Sequence, residues 1–395
     1  MKARTLYILS QSYAENKGSF LGVIEHFARY AHDQGYRVII ICGRTDKKEP
    51  KYQKLPYAKV IRFPTIKAPF FRNMINALIL ARYVKSYFKR HPASANDLFY
   101  ANGEAALGIL NKKFVLRAGD QPAFTYWKNV KVARKETPLY SRIARFAHLC
   151  FQYIIEKRCI KKASGIVYAS LENKYVFNKS HGGKNKPYFI PRSGIQYSRF
   201  ENGKKLFKKQ RIIMFTALYN ERLRKGVMYL ERALPEIFAK HDDVRLIHVG
   251  EKFAWNLPDW CKKRIISTGK VPWEKMKDYY ASADVLVSCS LSEGFPNALL
   301  EAMAAGIPVV TSDIQGIHEY IAHKKEGYIF KKGNINDLKK GILYMLENPT
   351  IRKKTGKAVC SRFKSIESEK YYKNLLQFLS DSRYRTKKNI NLLRR

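Results

Sequence analysis

"DVLVSCSLSEGFPNALLEAMAAGIPVV", residues 284–310, carries the pattern on which the reading of the chain turns. An apolar run, DVLVSCS (284–290), passes through a short loop into a helix pattern from Asn297 to Ala305. The β-branched run IPVVTS (307–312) follows directly. Pro296 suits the first turn of that helix, because it lacks only an N–H that would be unpaired there anyway. Gly306 ends the helix and Pro308 opens the next segment. Strand, helix and strand in close succession predict a parallel sheet covered by helices.

The same style repeats outward from this block. TLYILS (5–10) is followed by a glycine-containing loop, the helix pattern GVIEHFARYAHDQG (22–35) and RVIIIC (37–42), with KFVLR (113–117) and GIVYAS (165–170) further on. The second half has RIIMFT (211–216), a helix near 227–240, and VRLIHVG (244–250). A chain of 395 residues is too long for one ordinary core. The expectation is an α/β fold of two Rossmann-like domains facing across a cleft, with ligands at the carboxyl ends of the strands. The Gly-, Pro- and Lys-rich segment 182–205 reads as the hinge. The expected domains are an N-terminal Rossmann-like domain at 1–195 and a C-terminal one at 196–365. Residues 366–395 read as a helix that packs back on the first domain, with a basic tail.

Charge is the outlier. Lys and Arg number 75 against 32 Asp and Glu, for a formal net charge of +43. Such an excess implies partners that carry negative charge, and it says nothing about fold. The six cysteines form no CxxC pair and have no histidine at zinc-finger spacing. They read as reduced core residues of a cytosolic protein. The first apolar stretch is too short for a signal peptide and reads as a strand. No apolar run approaches about 18 residues, so the expected location is cytoplasmic, or peripheral on the inner face of a membrane.

The opening block also carries chemistry. A helix that starts beside a ligand space points free N–H groups and a positive dipole end at it, which suits a diphosphate. Gly294 lets the backbone approach a sugar closely. Glu293, in the loop, can accept hydrogen bonds from sugar hydroxyls. Glu301, one turn into the helix, can chelate a vicinal diol such as a ribose with its two oxygens.

This E-x7-E block resembles the signature of the retaining glycosyltransferases of family 4, which have the GT-B fold. The resemblance runs through residues 270–330, through RCIKKASGIVYAS (158–170) and IPRSGIQYSRF (190–200), and through RKGVMYLERAL (224–234), which looks like the family's phosphate-binding helix start. It implies that Glu293 contacts the donor sugar and Glu301 the ribose. The backbone of Gly294, Phe295, Asn297, Ala298 and Leu299 would cradle sugar and diphosphate, and Lys225 would neutralise the leaving phosphates. The family's Gly-Arg pair ahead of that lysine is replaced here by Ala217 and Leu218, leaving Arg222 or Arg224 to supply the cation. A family histidine of the N-terminal domain falls at Gly119, whereas Asp120 beside it matches. Gly18 or Gly22 corresponds to a glycine of the first loop.

The function implied is transfer of a sugar from a nucleotide-diphosphate donor to a glycan or lipid-linked acceptor, in cell-surface polysaccharide or glycolipid synthesis. Retention of configuration is expected, with no metal and no other cofactor, because no DxD-type acidic site is evident. One alternative keeps the fold but epimerises a nucleotide sugar. Another, nucleic-acid binding, rests on charge alone, since no helix-turn-helix, zinc finger or RNP-type motif accompanies it, and no nucleic-acid partner is expected. An anionic membrane surface is the further candidate partner. Segments 67–91 and 127–162 mix aromatic and aliphatic residues with Lys and Arg, as an interfacial helix does. The tail 382–395 adds basic residues to them.

Overall fold

Apolar strands alternating with amphipathic helices close into two separate sheets. The computed structural model describes residues 4–13, 19–44, 46, 48–66, 72–119, 122–129, 139–190, 195, 197–217, 222–294, 297–364 and 368–381. One compact unit comprises the described residues of Met1–Lys128, Arg134–Arg192 and Glu369–Arg395, and the other those of Asn129–Ala133 and Ser193–Ser368.

The first unit holds β1 (Thr5–Ser12), β2 (Arg37–Gly43), β3 (Tyr52–Lys54), β4 (Lys59–Phe63), β5 (Leu98–Asn102), β6 (Val115–Arg117), β7 (Gly165–Val167) and β8 (Tyr188–Phe189). Their order is β3-β4-β2-β1-β5-β6-β7-β8, parallel throughout except for the β3–β4 edge. Successive side chains of a strand point to opposite faces, and both faces are apolar here. Tyr7 and Leu9 of β1 and Ile39 and Ile41 of β2 enter one core, whereas Leu6, Ile8, Val38 and Ile40 enter the other. The first core is covered by α2 (Arg72–Arg90) and α4 (Leu139–Lys162), the second by α1 (Ser19–Asp33). The short α3 (Ala123–Asn129) precedes α4, and α5 (Leu171–His181) follows β7.

The second unit holds β9 (Arg211–Ala217), β10 (Val244–Gly250), β11 (Ile265–Gly269), β12 (Val285–Ser288), β13 (Val309–Ser312) and β14 (Gly327–Phe330). Their order, β11-β10-β9-β12-β13-β14, is all parallel. Relabelled from the first strand it is 3-2-1-4-5-6, the doubly wound Rossmann order. The helices are α6 (Val227–Lys240), α7 (Asp259–Lys262), α8 (Met276–Ser282), α9 (Asn297–Ala304), α10 (Ile335–Glu347) and α11 (Pro349–Lys364). Gly306, with φ of +70°, takes the left-handed conformation that closes α9, and its N–H donates to the Met303 carbonyl at 3.1 Å.

The last helix, α12 (Ser368–Ser380), belongs to the first unit although it follows the whole of the second. Tyr371, Tyr372, Leu375, Leu376, Phe378 and Leu379 are buried in the core that α1 covers. The ring of Tyr372 stacks on Phe27 with centroids 6.2 Å apart. The first unit therefore depends on residues that follow the second unit along the chain. Leu375→Ala should lower stability by about 2–5 kcal/mol through the cavity it leaves. Thermal melting of the full chain checks this, and an unchanged midpoint would show that α12 contributes little.

Candidate functional site

The site grows from the point in the second sheet where strand order reverses, between β9 and β12. Chains leaving two neighbouring strands in opposite directions open a crevice at their carboxyl ends. The segments leaving β9 and β12 are joined there by backbone. Leu291 N–H donates to the Arg224 carbonyl at 2.8 Å, and Arg224 Nη1 donates to the Ser292 carbonyl at 3.4 Å. Gly226, the residue before α6, has φ of +63°, and a Cβ on it would lie 2.1 Å from the Cys289 carbonyl oxygen. Only glycine fits that approach.

This junction brings Arg224 and Lys225 onto Glu293. Lys225 Nζ lies 2.8 Å from Glu293 Oε1, Arg224 pairs with Oε2, and the Ser290 hydroxyl donates to Oε1 at 3.1 Å. Glu293 is only 5% exposed. Burial alone would push its carboxyl up, but Lys225 and then Arg224 outweigh it and hold the group at about 2. Glu293 is therefore ionised at neutral pH.

Glu301 is its opposite. It is 3% exposed and the one charged residue of α9, among Leu299, Leu300, Ala302, Met303 and Ala304. Tyr280 of α8 donates its hydroxyl to Oε2 at 2.7 Å. Oε1 is buried, with no hydrogen-bond partner among the described residues. Burial pushes this carboxyl up to about 8, against the Tyr280 hydrogen bond and the more distant Lys225. A buried carboxyl oxygen left unpaired costs free energy, and a ligand hydroxyl would satisfy it.

The two arginines left open by the sequence have different surroundings. Arg222 donates to the Ala254 carbonyl at 2.7 Å and to Glu231 at 3.0 Å, and its guanidinium lies 4.6 Å from the centre of the Phe253 ring. Arg224 sits beside Lys225 on Glu293. Gly294 is buried in the β12–α9 loop, Asn297 and Ala298 are half-buried at the start of α9, and the Leu299 side chain enters the core. Gly22 lies in the first turn of α1, where a Cβ would meet nothing within 4 Å. Gly18, Asp120 and Phe295 lie outside the described residues. Sequence reasoning missed Ser290 and Tyr280, the hydroxyls that bind the two carboxylates. Ser290, three residues before Glu293 at a strand end, offered a weak signal. Tyr280, on another helix, offered none.

Residues 209–348 match the family Glycosyl transferases group 1. Three relatives frame that match. An uncharacterized glycosyltransferase of Methanocaldococcus jannaschii is 38% identical over 109 residues, 26% of this chain and 28% of that one. The sulfoquinovosyl transferase of Arabidopsis thaliana is 25% identical over 370 residues, 88% of this chain and 66% of that one. A phosphatidyl-myo-inositol mannosyltransferase of Mycobacterium leprae is 30% identical over 146 residues, 36% of this chain and 39% of that one. The chain thus spans less than two thirds of the length of these relatives. Among solved structures, sucrose-phosphate synthase of Thermosynechococcus elongatus superposes with a TM-score of 0.76 at 16% identity, over 95% of this chain and 98% of that one. The Anabaena protein HepE, in complex with UDP and glucose, gives 0.67 at 16% identity, over 95% and 99%.

The fold is GT-B, the two-sheet architecture of these glycosyltransferases. Residues 209–348 form a domain of the glycosyl transferases group 1 family, in agreement with the E-x7-E resemblance.

The two carboxylates make opposite predictions for stability. Between pH about 4.5 and about 8 the folded chain keeps a proton on Glu301 that the unfolded chain has lost, so this group lowers stability as pH rises across that window. Between about 2 and about 4.5 the unfolded chain protonates Glu293 while the folded chain does not, so stability falls as pH is lowered through that range. Glu301→Gln should remove the first slope and Glu293→Gln the second, each on the order of a few kcal/mol. Melting temperature against pH for the three proteins checks this, and three parallel curves would refute it.

Proposed function

We propose that this chain is a retaining glycosyltransferase that takes its sugar from a nucleotide diphosphate and needs no metal. The observation that carries this reading is the juxtaposition of Arg224 and Lys225 on Glu293 at the strand switch point, with Glu301 buried and half-paired beyond it. The family match and the named activities of the relatives support it, as does the UDP and glucose bound by the HepE neighbour.

In this reading Glu301 Oε1 accepts a ribose hydroxyl, with Tyr280 holding Oε2 in place. Glu293 accepts from the hydroxyls of the transferred sugar. The bond from the anomeric carbon to the diphosphate oxygen breaks, and its electron pair leaves with the nucleotide. Lys225 and Arg224 balance the charge that develops on the leaving diphosphate, and the start of α9 adds its free N–H groups. The acceptor hydroxyl attacks the face the diphosphate leaves, passing its proton to a leaving phosphate oxygen, so configuration is kept. Arg224 takes the place of the family arginine, because Arg222 is engaged with Glu231 and the Ala254 carbonyl. The acceptor is a glycan or lipid-linked sugar at the inner face of a membrane, in surface polysaccharide or glycolipid synthesis. The excess of cationic residues and the phosphatidylinositol named for one relative support that choice. Among the described residues no helix is long and apolar enough to cross a membrane.

Glu301→Ala should weaken donor binding by about 0.5–1.5 kcal/mol, for a hydrogen bond to a carboxyl held near neutrality, and Glu293→Ala should mainly lower turnover, by about 1.5–3 kcal/mol for a lost charged hydrogen bond. Thermal shift against a panel of nucleotide sugars identifies the donor, and steady-state kinetics on it separates KM from kcat. Wild-type constants in both variants would sink the site assignment.

Transfer should survive EDTA and yield the donor's own anomeric configuration by NMR of the product. Loss of activity restored by manganese, or an inverted linkage, would overturn the mechanism.

A further inference from the structure

Two segments of this chain mix apolar and cationic residues, and the structure treats them differently. In α2 the apolar stripe is spent on the core, where Ala77, Leu80, Ala81, Val84 and Phe88 are all buried. In α4 two apolar stripes run on opposite sides. Leu149, Ile155, Cys159 and Ile160 are buried. Tyr140, Ile143, Phe146 and Ile154 stand 65%, 62%, 47% and 50% exposed. With about 100° per residue, positions 140, 143, 147, 150 and 154 fall on one line, so the exposed residues form a continuous outward stripe. Two isoleucines so exposed on one helix face are what a core does not explain.

The charges around that stripe are of one sign. At the same spacing Lys157, Arg158 and Lys161 continue it toward the end of the helix. The one acid of α4, Glu156, turns away, since it pairs with His181 at 3.0 Å and accepts from the Ala123 N–H. Beside the stripe, the α3 ring of Trp127 lies 5.8 Å from that of Phe146. Apolar side chains flanked by Arg and Lys, with Trp and Tyr at the margin, match the boundary between headgroups and acyl chains. A protein partner of ordinary composition would not call for so one-sided a charge.

We propose that the outward face of α4 is the surface by which the first unit seats on an anionic bilayer, with Ile143 and Ile154 entering the acyl boundary and Lys157, Arg158 and Lys161 meeting the headgroups. This deepens, and rests on, the reading of a membrane-borne acceptor. Each cation near an anionic surface strengthens attachment, and the apolar pair makes it depend on more than charge.

Co-sedimentation of the full chain with vesicles separates the possibilities. Vesicles of phosphatidylcholine with phosphatidylglycerol should retain the wild type at low salt and release it at high salt, whereas pure phosphatidylcholine should not retain it. The double variant Ile143→Ser, Ile154→Ser keeps every charge and should bind about tenfold more weakly. Its melting curve shows whether it is folded. If the folded variant binds as the wild type does, α4 is not the docking face, although a membrane acceptor stands. If the wild type binds neither vesicle, the membrane itself is removed from the account. A concentration-dependent dimer abolished by the same double variant would assign the stripe to self-association and overturn the proposal. Transfer to a soluble acceptor glycan, measured separately, reports on the enzymatic reading independently of all three.

Discussion

The ion pairs of Glu293 with Arg224 and Lys225 hold together the part of this chain that differs from a generic α/β domain. They join the segment after β9 to the segment after β12 where strand order reverses. Each side chain needs the others. Alone, Glu293 would be a buried charge without compensation, which proteins do not tolerate. Alone, two adjacent cations would repel. The backbone bonds from Leu291 to Arg224, and the glycine at 226 pressed against the Cys289 carbonyl, bring the three groups into register before any ligand arrives. Two cations shared by one carboxylate leave a local excess of positive charge, which suits a ligand with more than one negative charge.

Burial acts on both carboxylates, and only the neighbours decide the outcome. Glu293 stays ionised because two cations touch it, and Glu301 is pushed toward neutrality because its one described partner is a hydroxyl. A neutral or half-paired acid suits the recognition of hydroxyls. An ionised one with cations beside it suits a centre where charge develops. Eight residues of sequence thus hold two carboxylates of different chemistry, separated by their positions in a loop and one turn into a helix.

Much of this was legible in the sequence because it depended on local pattern. The strands at 5–12, 37–43, 211–217 and 244–250 are each built around a mainly apolar run, and the Asn297–Ala304 helix is bounded by Pro296 and Gly306. The short strands Lys59–Phe63, Leu98–Asn102, Ile265–Gly269 and Gly327–Phe330 went unread, since four or five mixed residues do not establish a period. At the site the two glutamates were visible from their spacing and Lys225 from the resemblance of its segment. The different surroundings of Arg222 and Arg224 were not, because those of Arg222 turn on Glu231 and Phe253, residues nine and more positions away. Tyr280 was invisible for the same reason. It reaches Glu301 from another helix, and a tyrosine in an amphipathic segment reads as core.

Composition failed where orientation mattered. Segments 67–91 and 127–162 carry the same blend of aromatic, aliphatic and basic residues, so composition alone treats them alike. What separates α2 from α4 is the number of apolar stripes against the number of cores available to receive them. In α2 the residues at 77, 80, 81, 84 and 88 form a stripe that the core takes, and Leu78 and Tyr83 stay exposed. In α4 the core takes Leu149, Ile155, Cys159 and Ile160, and the stripe through Ile143 and Ile154 is left facing outward. It is this outward apolar side, with Lys157, Arg158 and Lys161 on it, that the proposed bilayer would cover.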